Sequence, residues 1–125
     1  MNTTHWRIRN TPAAPALARR YVGEVLTDAP RSVVDIVELM VSELATNCVR
    51  YVESDITVTV ERTAERVRVD VADCGHGEIE MKDPDPNDPT GRGLRIVDRL
   101  SDSWGVEDAP GDGKSVWFTL DFAGA

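Results

Sequence analysis

The segment from Val33 to Val52 constrains the fold of this chain more than any other stretch of its sequence. Its apolar residues recur with the three-and-four spacing of a helix that has one buried stripe: Val33, Val37, Met40, Val41, Leu44, Cys48 and Val52. Ser32 can cap this helix, with Asp35 three residues later in the place of a capping-box acid. The sequence therefore predicts an amphipathic helix around which the rest of the chain is organised.

Glu43 and Asn47 lie beside the apolar stripe of this predicted helix. They are four residues apart, so their side chains project one above the other on a single face, one turn before Tyr51. An acid and an amide stacked in this way can hold a hydrated cation and a water molecule together. The alternative is a pair of surface residues on an amphipathic helix, which is the commoner fate of such a pair, and the other motifs must decide.

The composition indicates one soluble globular domain over residues 1–125. Hydrophobic residues make up 41% of the chain and charged residues 29%, and no apolar run approaches the length of a membrane span. The stretch from Met1 to Thr11 is polar and charged where a secretory signal needs an apolar core, so we expect a cytoplasmic protein without membrane contact. Cys48 and Cys74 have no metal-ligand spacing and are expected to be reduced.

The net charge of −8 bears on the choice of partner. With 22 acidic against 14 basic residues, the chain would repel nucleic-acid phosphates unless a basic face were segregated, so direct nucleic-acid binding is disfavoured. Such a charge suits a protein that binds a basic or mixed protein surface, and it equally suits simple solubility.

Apolar alternation and turn residues predict the other elements. We expect a short edge strand at Thr4–Arg9 and a first helix at Pro15–Leu26. We expect a hairpin of two strands at Ile56–Val60 and Val67–Val71, and two closing strands at Ser103–Glu107 and Ser115–Phe122. In the last strand Val116, Phe118 and Leu120 alternate with more polar neighbours. The chain therefore combines helices with a sheet.

A turn of the form D-x-G-x-G follows the second strand of the hairpin, with Asp73, Gly75 and Gly77 at its fixed positions. The glycines allow positive φ angles and let a ligand approach the backbone closely, while a carboxylate at a strand end can accept hydrogen bonds from the edge of a base. Tight turns after strands often contain Asp and Gly, so this motif alone is a weak indication of a binding site.

A second glycine-rich turn follows an acidic loop. Residues 78–90 hold three prolines and five acidic residues without periodicity, which is typical of an exposed lid. Gly91-Arg92-Gly93-Leu94 then opens a helix to Leu100, and the free N–H groups at such a helix start can bind phosphate. Arg95 and Arg99 share a side with Arg92 and could meet phosphate or an acidic partner, although a solvated basic stripe explains them equally simply.

These motifs occur in an order that resembles the Bergerat-fold (GHKL) ATPase superfamily, most closely the small anti-sigma-factor serine/threonine kinases of partner-switching regulation. The resemblance covers the chain from about Trp6 to Phe122. It implies a single ATP-binding domain with an α/β (α+β) two-layer sandwich, in which helices cover one face of a mixed, mainly antiparallel sheet. It also implies that ATP and Mg²⁺ are the cofactors.

The resemblance also implies roles for individual residues. By position, Glu43 matches the catalytic base, Asn47 the magnesium ligand and Asp73 the carboxylate that reads the adenine amino group. Further nucleotide contacts are implied at Gly75, Gly77, Gly91, Arg92, Gly93 and Leu94, and at Ser115, which stands near a last-strand threonine of the family. Tyr51 stands where many relatives carry His, and Lys114-Ser115 replaces a common Thr-Thr.

The function that the resemblance implies is phosphorylation of a STAS-type anti-sigma-factor antagonist, alternating with sequestration of a sigma factor. A homodimer is implied as well, and Trp6 on an expected edge strand favours it modestly. The alternative from another class is a non-catalytic ATP-binding module that controls a sigma factor or another protein by sequestration alone.

Overall fold

A computed structural model describes residues 2–51, 54–73, 89–108 and 113–122, with residues 50, 51 and 89–93 described by their backbone alone. These residues form three helices and five strands. In chain order the elements are β1 (Asn2–Ile8), α1 (Ala14–Val25), α2 (Arg31–Tyr51), β2 (Ile56–Arg62), β3 (Arg66–Asp73), α3 (Pro89–Leu100), β4 (Ser103–Asp108) and β5 (Lys114–Asp121).

The strands form one sheet in the order β1-β2-β3-β5-β4, and every described pairing is antiparallel. The predicted hairpin is β2 and β3, closed by a hydrogen bond from the Thr63 N–H to the Arg66 carbonyl. β3 then pairs on its other side with β5, so that the C-terminal end of β3 lies beside the start of β5. This pairing brings Asp73 next to the loop before β5.

One face of the sheet carries the core. Buried side chains alternate along β2, β3 and β5, among them Val58, Val69 and Phe118. They belong to the same core as the apolar stripe of α2. α2 is the central helix, because it packs against both α1 and α3. The other face of the sheet carries polar side chains such as Asp70 and Thr59. The expected two-layer sandwich is therefore confirmed, with antiparallel pairing throughout the described strands.

Two helices begin earlier than their sequence patterns predict. α2 begins at Arg31, because the Pro30 carbonyl accepts hydrogen bonds from the N–H groups of Val33 and Val34, and Ser32 lies inside the first turn instead of capping it. α3 begins at Pro89, where a proline loses nothing because the first N–H of a helix has no intrahelical acceptor. Among the described residues, no helix combines the length and apolar character needed to cross a membrane.

Candidate functional site

The last two turns of α2 carry Glu43 and Asn47 at the border between its buried stripe and solvent. Both residues are half-buried, whereas Leu44 and Cys48, which follow them in sequence, are buried in the core. The Thr46 hydroxyl donates to the Ser42 carbonyl at 2.7 Å, so it is directed along the helix. Because Glu43 and Asn47 lie at the border with solvent, their side chains can reach a ligand that lies against this end of α2.

Asp73 ends β3 and is almost fully buried, with a relative exposure of 2%. The main-chain N–H of Lys114 donates to its Oδ1 at 3.3 Å. Gly113 lies so close that a Cβ placed on it would come within 2.1 Å of the Asp73 carbonyl oxygen. A carboxylate at this depth is costly unless it accepts hydrogen bonds, so Asp73 is held as an acceptor by the start of β5.

Cys48 lies in the last turn of α2 and is buried. Its burial and, to a smaller extent, the negative charge of Asp73 together raise the pKa of the Cys48 thiol to about 12. The thiol is therefore neutral at physiological pH. Cys48 directly follows Asn47 in the sequence, and its thiol lies within electrostatic range of the Asp73 carboxylate at the end of β3.

Lys114 and Ser115 lie on opposite faces of the sheet. Ser115 pairs with Ala72, and its hydroxyl donates to Asp70 Oδ2 at 3.3 Å on the face away from the helices. The structure therefore does not bring Ser115 together with Asp73, and its role in adenine binding stays a prediction. Lys114 follows Gly113 on the helix-facing side, directly across from Asp73.

Lys114 was noted in the sequence only as a departure from the family pattern, and no role was predicted for it. Its ammonium bonds to Asp108 on β4, and this hydrogen bond raises the pKa of Lys114, with Asp73 adding a smaller contribution of the same sign. The strand alternation contained the signal, because Val116 and Phe118 face the core and the same two-residue period places position 114 on that face.

The second glycine box lies within α3. Gly91, Arg92 and Gly93 belong to the first turns of the helix, of which the backbone alone is described, and Leu94 is half-buried against the core. Pro89 has no N–H, so the free main-chain N–H groups at the start of α3 begin at Thr90, earlier than the glycine spacing predicts. Gly75, Gly77 and nearly all of the expected lid, residues 78–88, lie outside the described residues.

The donor set fits an adenine nucleotide with magnesium. Asp73 is a buried acceptor of the kind that an exocyclic amino group requires. The Asp73 backbone occupies the space that a side chain on Gly113 would need, so a residue larger than glycine would collide with it. Among the described residues, no group of three or more His, Cys, Asp or Glu side chains is placed to hold a metal. Mg²⁺ carried by phosphates needs only one or two protein ligands, and Asn47 can supply one.

Comparison with known proteins gives one family and one fold. The family described as the histidine kinase-like ATPase domain matches residues 8–120. A crystal structure of the RsbU and RsbW domains of Rv1364c from Mycobacterium tuberculosis is similar in fold, with a TM-score of 0.72 and 19% sequence identity over 96% of this chain. This chain spans 32% of the length of that protein chain. No curated protein matches the sequence.

Proposed function

The chain belongs to the histidine kinase-like ATPase domain family, and from this premise we propose that it is an ATP-dependent serine/threonine kinase and anti-sigma factor. Family membership implies ATP and magnesium binding in general. The observation that carries the proposal is the burial of the Asp73 carboxylate at the end of β3, where the main-chain N–H of Lys114 donates to it. The fold likeness to a protein with an RsbW domain supports the choice of function within the family.

In this proposal the two ends of the site have separate tasks. Asp73 would accept the amino N–H of adenine, and Asn47 would hold the magnesium ion. The start of α3, with the Gly91–Leu94 segment, would face the phosphates. The predicted contacts of Gly75, Gly77 and the Arg92 side chain fall outside what the structure describes and stay predictions. Bound Mg-ATP supplies the phosphoryl group and the charge neutralisation for its transfer.

Glu43 is the proposed catalytic base. Its carboxylate lies one turn before Asn47 on the same side of α2, so it is placed to accept the proton of a serine or threonine hydroxyl presented by a protein substrate. The hydroxyl oxygen would then bond to the γ-phosphorus while the bond from that phosphorus to the bridging oxygen breaks, and ADP would leave. Glu43 would hold the proton until it passes to solvent, and the products would be ADP and a phosphorylated STAS-type antagonist.

The proposed partners are that antagonist, a sigma factor and a second copy of the chain. β1 is an edge strand whose residues from Asn2 to Arg7 are exposed. Trp6 is 40% exposed and packs on Tyr21, with a ring-centroid distance of 5.5 Å. An open strand edge beside an exposed tryptophan is a surface that a second protein chain can cover.

Nucleotide binding is tested by Asp73→Asn. An amide cannot accept two hydrogen bonds in the geometry of a carboxylate, so ADP affinity measured by calorimetry should fall about 10- to 100-fold. Asp70→Asn is the matched control, because Asp70 lies three residues earlier on the opposite face, where it accepts a hydrogen bond from Arg68. Absence of ADP and ATP binding by the wild type at millimolar nucleotide would contradict the site.

Kinase activity is tested with purified candidate antagonists of the STAS type. Glu43→Ala should retain nucleotide and partner affinity but lower phosphotransfer by about 10²- to 10⁴-fold, since it removes only the base. Asn47→Ala should weaken Mg-ATP binding itself. Asp35→Ala is the control, because Asp35 is an exposed acid of the same helix that pairs with Arg31. If the wild type binds ATP and its partner but transfers no phosphate to any antagonist supplied, sequestration alone becomes the better description.

A further inference from the structure

The connection between β1 and α1 is tied to the end of α2 by one side chain. The Asn10 amide donates from Nδ2 to the Ser54 carbonyl at 2.9 Å and to the Cys48 carbonyl at 3.4 Å, and both bonds are partly buried. The first acceptor lies just before β2 and the second lies in the last turn of α2. Asn10 therefore bridges the two ends of the α2–β2 junction.

The Cys48 carbonyl lies in the last turn of α2, which ends at Tyr51. The carbonyls that end a helix after this point lack donors within the helix, so the turn depends on partners from outside it. Asn10 supplies a side-chain donor to this turn from a different part of the chain. The acceptor residue, Cys48, directly follows Asn47 in the sequence.

We propose that Asn10 is a positioning residue for the metal end of the site, where it holds the last turn of α2 so that Asn47 points at phosphate-bound magnesium. The inference rests on the proposed nucleotide binding and deepens it. Asn10 has no contact with the nucleotide in this proposal. Its effect passes through the Cys48 carbonyl to Asn47, whereas the contribution of Asp73 at the base end does not depend on it.

The test uses Asn10→Asp in the full chain, because this change keeps the shape of the side chain but removes its N–H donors. Calorimetry measures ADP affinity with excess Mg²⁺ and again with EDTA, and the ratio of the two affinities reports the contribution of the metal end. We expect the variant to lower this ratio about tenfold, as is typical for loss of a partner that orients a metal ligand, and to leave the EDTA affinity within about twofold.

Two further variants keep the test decisive. Asn10→Ser removes the amide without adding a carboxylate, and it should lower the ratio in the same way if Asn10→Asp does not fold. Arg7→Ala is the matched control, because Arg7 donates to Asp55 at 3.1 Å on the β2 side of the same junction and has no hydrogen bond to α2 among the described residues. Its ratio should equal that of the wild type.

Amide hydrogen exchange of the last turn of α2 in the nucleotide-free protein supplies a readout that does not need ADP. Protection there should fall in Asn10→Asp and be kept in Arg7→Ala. If the wild type binds ADP and the Asn10 variants show an unchanged magnesium ratio, the positioning role is overturned while the proposed function stands. If the wild type binds no ADP with or without Mg²⁺, the proposed function fails and this inference fails with it.

Discussion

Gly113 has no room for a side chain, because the atom that a Cβ would meet is the backbone carbonyl oxygen of Asp73, at 2.1 Å. A backbone atom cannot swing aside as the end of a flexible side chain can. Gly113→Ala should therefore push β5 away from β3 at this point, destabilise the protein by about 1–3 kcal/mol and weaken ADP binding. Denaturant unfolding and calorimetry measure the two effects.

The matched control for this change is Gly105→Ala on β4. A Cβ at Gly105 would lie 2.9 Å from the Trp117 ring, on the sheet face away from Asp73. The variant should lose stability but bind ADP as the wild type does. Equal loss of ADP affinity in both variants would mean that general loosening of the sheet, and not the contact with Asp73, controls the site.

Cys48 gives the protein a distinct alkaline stability change. Its thiol ionises near pH 9.0 when unfolded, but burial raises the pKa to about 12 in the folded protein. Between these values the unfolded state releases a proton that the folded state keeps, so the free energy of unfolding falls as the pH rises. The decrease from this one group reaches at most about 1.4 kcal/mol per pH unit.

Cys48→Ala should remove this component. Urea unfolding of both proteins at pH 8, 9 and 10 measures it as a difference between slopes, so the cost of the shortened side chain, which is independent of pH, cancels. Curves that stay parallel above pH 9 would show that the thiol is not held neutral beside Asp73.

At the scale of the elements, local patterns were sufficient where one face of an element is buried. The alternation of valines predicted the hairpin, which the structure extends from Val60 to Arg62 in β2 and to Arg66 and Asp73 at the two ends of β3. The apolar stripe of α2 predicted most of its buried residues between Val33 and Cys48, and Val34 and Ala45 are buried as well. In these segments each buried position is decided by its own side chain and its nearest neighbours along the chain.

The differences arose where distant parts of the chain decide the outcome. Glycines at 91 and 93 favour a turn locally, yet α3 includes them because it packs against α2. Ser115 was predicted to bind adenine because it stands near a last-strand threonine of the family, but the pairing of β5 with β3 places it on the sheet face away from Asp73. Asn10 has no sequence motif at all, since its acceptors in α2 and before β2 are brought near only by the fold.

At the scale of the whole molecule, the order of the sheet leaves β1 at one edge and β4 at the other. Sequence patterns identify both as strands, but they do not say which strand has a free edge, because that depends on pairings between distant segments. Each edge carries one exposed large apolar residue: Trp6 is 40% exposed on β1 and Val106 is 37% exposed on β4. The two edges can therefore be compared directly.

The proposed homodimer uses the β1 edge, where Trp6 packs on Tyr21 and the Tyr21 hydroxyl donates to Thr4. The ring pair of Trp6 and Tyr21 is therefore ordered beside the open edge of β1. No such ring pair is described at the edge formed by β4. Trp6→Glu should convert the dimer into a monomer at about micromolar concentration, because it places a charge in the centre of the contact. Val106→Glu, an equivalent change on the opposite edge, should leave the dimer intact. Light scattering of the wild type and both variants measures the mass. A wild type that is monomeric at high micromolar concentration would contradict the proposed dimer. A dimer that is lost only through Val106→Glu would show that β1 is not the contact.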